Sequence, residues 1–410
     1  MRTGRTKIGR MRQVARGALL LVFVGLTFAG CASKPFLPED PGGYPFLSRG
    51  VTQSSGPVRV TAVVPDAEET RAAIGLPLYE QGIQPIWLEV ENLGTTPARI
   101  TLWSIDPDYF SPLEVAWMNR GGYSAQGKAD MERWFHDNAL PRRIPAGETR
   151  SGFVFTHLQR GTKGFNIDAL TSGESHSLTF FVPLPGFTAD YMQVDFERLY
   201  GADEIQRLTS REMREVAATL PCCSTDKSGR GAGEPFNVIM IGEGPTLRRA
   251  LLRAGWEETE ADSDDTAVAR TQHYLGRYPD GTFDKSRADG SERKELRLWR
   301  TPLLVDEQPL WIGQASHELN RSTGRREDYR VDPDLDDARD YVLQNFWYSQ
   351  SVTLAGYAKG GPPVSREAPQ VAFNGSRYFT DGLRVVIWLS DDPVGLDEAE
   401  ILLWERIDEN

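Results

Sequence analysis

Four aspartates, Asp332, Asp334, Asp336 and Asp337, crowd the stretch VDPDLDDARD, and Arg339 follows them. Carboxylates at this density suit a hard cation such as Ca²⁺, which takes about six to eight oxygen ligands. A calcium loop opened by Asp332 needs glycine at position 337 and glutamate at 343, where the chain has Asp337 and Leu343. The cluster reads instead as a helix start. Pro333 keeps Asp332 extended, Asp336 caps, acids complement the helix N-terminus, and Arg339 pairs with Asp336 one turn on. His273 and His317 are the histidines of the C-terminal half. Joined to Asp332 or Asp336 they would form a His/His/carboxylate set able to activate a water, but no spacing motif links them. The HExxH, GxSxG and P-loop patterns are absent. His273, Arg297, Trp311, His317, Asp332, Asp336 and Arg339 constitute the candidate pocket, with catalytic residues unassigned and no metal or cofactor implied.

The remaining chemistry lies in the cysteines. Residues 1–16 carry six basic residues and no acid, and an apolar run from Gly17 to Gly30 follows. That order is an export signal, and the run is too short to span a bilayer, which takes about 20 residues. The segment Thr27-Phe28-Ala29-Gly30-Cys31 resembles a bacterial lipobox, with Phe28 in place of the usual aliphatic residue. The resemblance implies a diacylglycerol (and palmitate) on Cys31, cleavage before it, and, with Ala32 rather than Asp next, the periplasmic face of a Gram-negative outer membrane. Cys222 and Cys223 are the other cysteines. Neighbours pair only under strain, and they are read as part of a linker.

The elements that must position these groups follow from periodicity. The chain has 410 residues and a formal charge of −12, which becomes −18 once the six signal cations are removed. So acidic a body disfavours nucleic acid as a partner. Pro, Gly and Ser crowd residues 31–56, which read as an extended tether. From Val58, period-two alternation in VRVTAVV and PIWLEVEN, with strands expected at 151–156, 177–183 and 191–196, predicts an antiparallel β-sandwich of Ig-like type over 57–200. Helices are expected at PLEVAWMNR and DMERWFHDNAL. Residues 201–233 read as a helix and a flexible linker, PCCSTDKSGRGAGEP.

At FNVIMIG a buried strand opens a second domain over 234–392, predicted as α+β from the order β–α–β–β–α–β. An acidic segment, 393–410, closes the chain. Gly242-Glu243-Gly244 starts like a dinucleotide fingerprint, but the third glycine is replaced by Leu247. The segments PFNVIMIG, ALLRAGW, LRLWR, PLWIGQASHE and VDPDLDDARD, in that order, resemble the LssY C-terminal domain family. The resemblance covers 234–392 and implies a fold and an envelope context, through association with type I secretion and fusion to membrane phosphatases, rather than a reaction. The expectation is a lipid-anchored envelope protein with a binding or structural role, partnered by the membrane and an envelope protein. An envelope hydrolase acting on lipid or phosphoester material is the alternative.

Overall fold

A computed structural model of the chain describes residues 33–39, 43–106, 108–287, 290–320 and 329–404. The signal segment and Cys31 lie outside the described residues. The chain divides into two units, Met1–Leu158 with Ala169–His176, and Gln159–Asp168 with Ser177–Asn410. It is mostly β-sheet, in several sheets with helices against them. No described helix is long and apolar enough to cross a membrane.

The first unit is built from β1 (Val51–Ser55), β2 (Val58–Val63), α1 (Ala67–Ile74), β3 (Ile83–Asn92), β4 (Ala98–Thr101), α2 (Pro112–Asn119), α3 (Ala125–Asp137), β5 (Arg143–Ile144) and β6 (Thr149–His157). Strands β1, β2, β3 and β6 pair antiparallel in that order, and β4 pairs with β5. Alternation buries Val58, Val60 and Ala62 of β2. The hairpin of β7 (Thr162–Leu170) and β8 (Ser175–Pro183) has its tip in this unit and its stems in the other. The described residues of the 31–56 segment do not form the extended tether expected of them. Phe36, Tyr44 and Phe46 are buried with Trp87, Phe135 and Phe153, and 51–55 is a paired strand. Three aromatic rings, each worth roughly 2 to 3 kcal/mol when buried, outweigh the Pro/Gly composition around them.

The second unit runs β9 (Gln206–Leu208), α4 (Ser210–Thr219), β10 (Cys223–Thr225), β11 (Ala232–Pro235), β12 (Val238–Ile241), α5 (Gly244–Arg253), β13 (Glu257–Glu258), α6 (Asp264–Ala269), β14 (Gly281–Ser286), β15 (Glu292–Val305), β16 (Gln308–Asn320), β17 (Tyr329–Val331), α7 (Leu335–Tyr348), β18 (Val352–Lys359), β19 (Gln370–Val371), β20 (Arg377–Tyr378), β21 (Leu383–Leu389) and β22 (Glu400–Leu402). A ten-stranded mixed sheet has the order β13-β14-β15-β16-β12-β21-β18-β22, with β9 on β15 and β17 on β16. Strand β12 lies antiparallel to β16 and parallel to β21.

Both faces of this sheet are covered. Leu247, Ala250 and Leu251 of α5 and Ala338, Val342 and Phe346 of α7 pack on Val238, Met240, Leu298 and Trp311. On the opposite face Met213 and Ala217 of α4 pack on Ile239, Trp299, Leu310 and Ile312. The helix and linker expected between domains therefore belong to the second unit. Ser224 and Glu234 of the β10–β11 hairpin are buried, and Cys222 and Cys223 are joined in a vicinal disulfide. The expected strand over 191–196 is replaced by a 3₁₀ turn, Asp190–Gln193, of the second unit. The acidic C-terminal segment contributes β22, parallel to β18.

Arg384 of β21 is fully buried. Its Nε donates to the carbonyl of Phe236 at 2.9 Å, its Nη1 to Ala217 at 2.9 Å, and its Nη2 to Leu220, Pro221 and Gly360. One guanidinium thus closes the last turn of α4 and fixes it to the starts of β12 and β21. Burial pushes Arg384 down to about 10, so it stays charged at neutral pH. Arg384→Ala should cost at least about 3 kcal/mol, because several buried carbonyls lose their donor at about 1–3 kcal/mol each. Lysine, with a single point charge, should recover only part of this. Thermal unfolding followed by near-ultraviolet circular dichroism checks it, and an unchanged midpoint in the alanine variant would refute it.

Candidate functional site

Strand alternation decides which side chains can meet. Cross-strand pairing sets Arg297 opposite Gln314 and Lys294 opposite His317. Trp311 packs on the face that carries α5 and α7, whereas Leu310 and Ile312 face α4. Even-numbered Gln314 therefore shares the α4 face with Arg297, and odd-numbered His317 shares the other with Trp311. The sheet separates residues that the sequence grouped.

On the α5/α7 face lies a cleft of about 280 Å³. It opens at the carboxyl end of β12, where the chain turns through Gly242 into α5, the end at which open α/β sheets commonly receive ligands. Its walls are Tyr191, Phe196, Leu247, Phe283, Leu298 and Trp311, with Gly244 and Pro245 from the first turn of α5 and with Arg248 and Asp280 among the lining groups. Tyr191 stacks on Phe283 with ring centroids 6.2 Å apart, and Phe196 meets Trp311 edge-on at 5.5 Å. The Trp311 indole is fixed by donating to the carbonyl of Gly242 at 3.0 Å. At Gly281 an added Cβ would lie 3.3 Å from the Phe283 ring and 3.4 Å from Cβ of Tyr191, so the missing side chain leaves room for that stack.

The charged groups of the cleft are already engaged. The carboxylate of Glu258 accepts from the Tyr191 hydroxyl at 2.6 Å, from Arg248 Nε at 2.8 Å and from Thr162 at 2.8 Å. Asp280 accepts from Arg277 Nη1 at 2.7 Å and from the backbone N–H of Arg300 at 2.7 Å. Burial pushes its carboxyl up to about 6, although the Arg277 guanidinium pulls the other way. Among the described residues, no Ser, Cys, Lys or His lines the cleft. The arrangement is suited to sheltering an apolar or aromatic body.

Of the seven residues singled out from sequence, Trp311 lines this cleft. His317 lies further along β16, with Nε2 2.8 Å from Glu292 and Nδ1 3.7 Å from Asp337 and 4.0 Å from Asp332. Glu292 is held below the usual carboxylate range, against its own burial, by Lys294 and His317. Asp336 does not cap α7. Asp334 does, accepting from the N–H of Asp337 at 3.3 Å. The Asp336 carboxylate instead accepts from Thr380, from the N–H of Asp381 and from Arg339 at 3.1 Å. Arg339 is buried and also binds Asp340 and Asp381. His273 sits beside β10, its backbone paired with Thr225 and its ring 4.8 Å from that of Tyr278. Arg297 is ion-paired with buried Glu295 on the α4 face, where Gln314 donates to Glu234. Among the described residues no three His, Cys, Asp or Glu side chains are grouped to hold a metal ion.

Sequence reasoning missed Tyr191, Phe196, Arg248 and Asp280. The first two lie in a stretch read as a strand of the preceding domain, and their aromatic spacing was the one signal available. Glu234 was read as linker.

The model of the LssY C-terminus family matches residues 213–383, which takes in α4 from Met213 onward and the β10–β11 hairpin. No curated protein matches the chain. Among solved structures, a candidate lipoprotein from Bacillus subtilis subsp. subtilis str. 168 is 12% identical, with 86% of this chain and 98% of that chain covered and a TM-score of 0.18.

The Asp280 carboxyl is raised from its ordinary 3.8 to about 6, so the native state binds this proton more tightly than the unfolded chain does. Its contribution to stability is complete below the ordinary value and is lost as pH rises through about 6. Relative to Asp280→Asn, the wild type should therefore gain melting temperature as the buffer is taken from neutral to acid pH. Parallel melting curves for the two proteins would contradict the assignment.

Proposed function

We propose that this chain is a lipoprotein of the bacterial envelope, acylated at Cys31, whose second unit binds a small apolar or aromatic ligand in the cleft at the start of α5. The carrying observation is the cleft itself. Four aromatic rings wall it, and the charged groups among them are held by partners behind the lining, Arg248 by Glu258 and Asp280 by Arg277. The basic–apolar–small–Cys order of residues 1–31 supports the anchor, and Ala32 after the cysteine supports the periplasmic face of a Gram-negative outer membrane. The first unit is read as an antiparallel, Ig-like sandwich, supported by alternating burial along β2 and its antiparallel pairing with β1 and β3. Its role, and that of an envelope protein partner, is structural. The alternative of a hydrolase acting on lipid or phosphoester substrates has no assembled constellation behind it, since His273 and His317 sit in different surroundings and share no carboxylate.

Two measurements test this reading. Cys31→Ser should abolish acyl labelling and detergent partitioning, and a variant that still fractionates with membranes would refute the anchor. A naphthyl fluorophore should bind the wild type saturably. Phe196→Ala, which removes one wall without opening the core, should raise its Kd about three- to tenfold, since an aromatic contact contributes about 0.5–1.5 kcal/mol beyond area. Binding indifferent to Phe196 would place the ligand elsewhere.

A further inference from the structure

Helix α2 leaves an apolar stripe uncovered. Leu113, Trp117 and Met118 are 46%, 53% and 47% exposed, while Val115, Ala116 and Asn119 are buried. At about 100° per residue the three exposed side chains fall on one side of the helix, with exposed Glu114 between Trp117 and Met118, and the buried ones on the other. Leu113 and Trp117 are one turn apart.

What lies next to this stripe is fixed by the chain leaving the anchor. The N–H of Lys34 donates to the carbonyl of Gly122 at 3.1 Å, and the N–H of Ser124 donates to the carbonyl of Lys34 at 3.1 Å. Phe36 is buried against Tyr123, Trp134 and Phe135, at ring separations of 6.2, 6.0 and 6.4 Å. The segment is thus stitched to the turn that directly follows α2. Three residue steps from Cys31 to Lys34 span at most about 11 Å, and an eight-residue helix is about 12 Å long. A bilayer holding acyl chains on Cys31 therefore comes within about 11 Å of Lys34, which is bonded to the turn after α2, and Trp117 lies in the last turn of that helix.

The chemistry of the stripe matches that surface. The Trp117 indole donates to Glu132 at 2.9 Å, and the Arg120 guanidinium lies 5.3 Å from its ring. Lys34 is exposed at the exit of the chain. An indole and long apolar side chains beside Arg120 and Lys34 resemble the composition of helices that lie in the headgroup region, with Glu114 and Glu132 as the acids of this face. A protein body of charge −18 gains nothing from general attraction to anionic lipid, so the contact must be local and apolar.

We infer that the Leu113–Trp117–Met118 stripe of α2 is a second membrane contact, seated in the headgroup layer of the bilayer that holds Cys31. The inference rests on the proposed acylation, and the experiment separates the two. The acylated full-length protein is first assayed for acyl label. It is then placed in phosphatidylethanolamine/phosphatidylglycerol vesicles with and without brominated acyl chains. The wild type should show tryptophan quenching that Trp117→Phe loses, and Leu113→Glu/Met118→Glu should reduce it while retaining the acyl label. Absence of acyl label overturns both the anchor and the contact. Normal labelling with quenching unchanged in Trp117→Phe overturns the contact alone. So does a Trp117→Phe protein whose quenching is normal but whose sedimentation shows a lost dimer, because a second copy would then cover the stripe.

Discussion

The second unit depends on one buried cation that has no carboxylate among its hydrogen-bond partners. Taking a guanidinium out of water costs several kcal/mol, and Arg384 offsets that with backbone carbonyls alone. Three of them belong to the end of α4 and the residues after it, where the helix dipole presents partial negative charge. The planar fork can reach β12, the α4 terminus and the turn after β18 together, which a lysine cannot. Gly360 is part of the same arrangement, because a Cβ there would collide with the Arg384 side chain. The sheet's α4 face is closed by this contact, and the hairpin carrying Cys222–Cys223 follows directly from it.

With that face closed, the two sides of the sheet differ in character. The α4 side holds paired buried polar groups, among them Glu295 with Arg297 and Gln314 with Glu234. The α5/α7 side holds apolar layers around Trp311, interrupted where α5 starts and where Tyr191 and Phe196 arrive from outside the sheet, and carries the Glu292–Lys294–His317 cluster further along β15 and β16. The cleft lies where the turn Gly242–Gly244 leads into α5, and the Trp311 indole is bonded to that turn. A rigid wall and a wall supplied by an irregular segment are a common way to combine a preformed pocket with access to it.

The first unit follows a different constraint, the density of aromatic rings. Trp87, Phe135, Phe153 and Phe155 make a core into which Phe36, Tyr44 and Phe46 insert from the N-terminal side. The consequence is positional. Residues 33–39 and 43–49 belong to the folded body through these rings, ahead of the first paired strand.

The local patterns legible in the sequence were those carried by regular spacing. The alternation of VRVTAVV and PIWLEVEN produced β2 and β3, and PLEVAWMN and the Met131–Asp137 stretch fell in α2 and α3. The order β12–α5–β15–β16–α7–β21 followed from FNVIMIG, the Leu247/Ala250/Leu251 stripe and the later apolar runs. Pairing Arg339 with Asp336 also followed, because residues three apart on a helix are neighbours. Composition misled where a few residues outweigh many: Phe36, Tyr44 and Phe46 in a Pro/Gly-rich stretch, and Ser224 and Glu234 in a Gly/Ser-rich one. The site itself was decided by tertiary structure. Whether Arg297 meets Trp311 depends on strand register, and whether Phe196 meets Trp311 depends on which unit the 190–200 segment joins. Sequence spacing encodes neighbours within one element, whereas the choice of face and partner is made only when separate elements bury their apolar sides against one another.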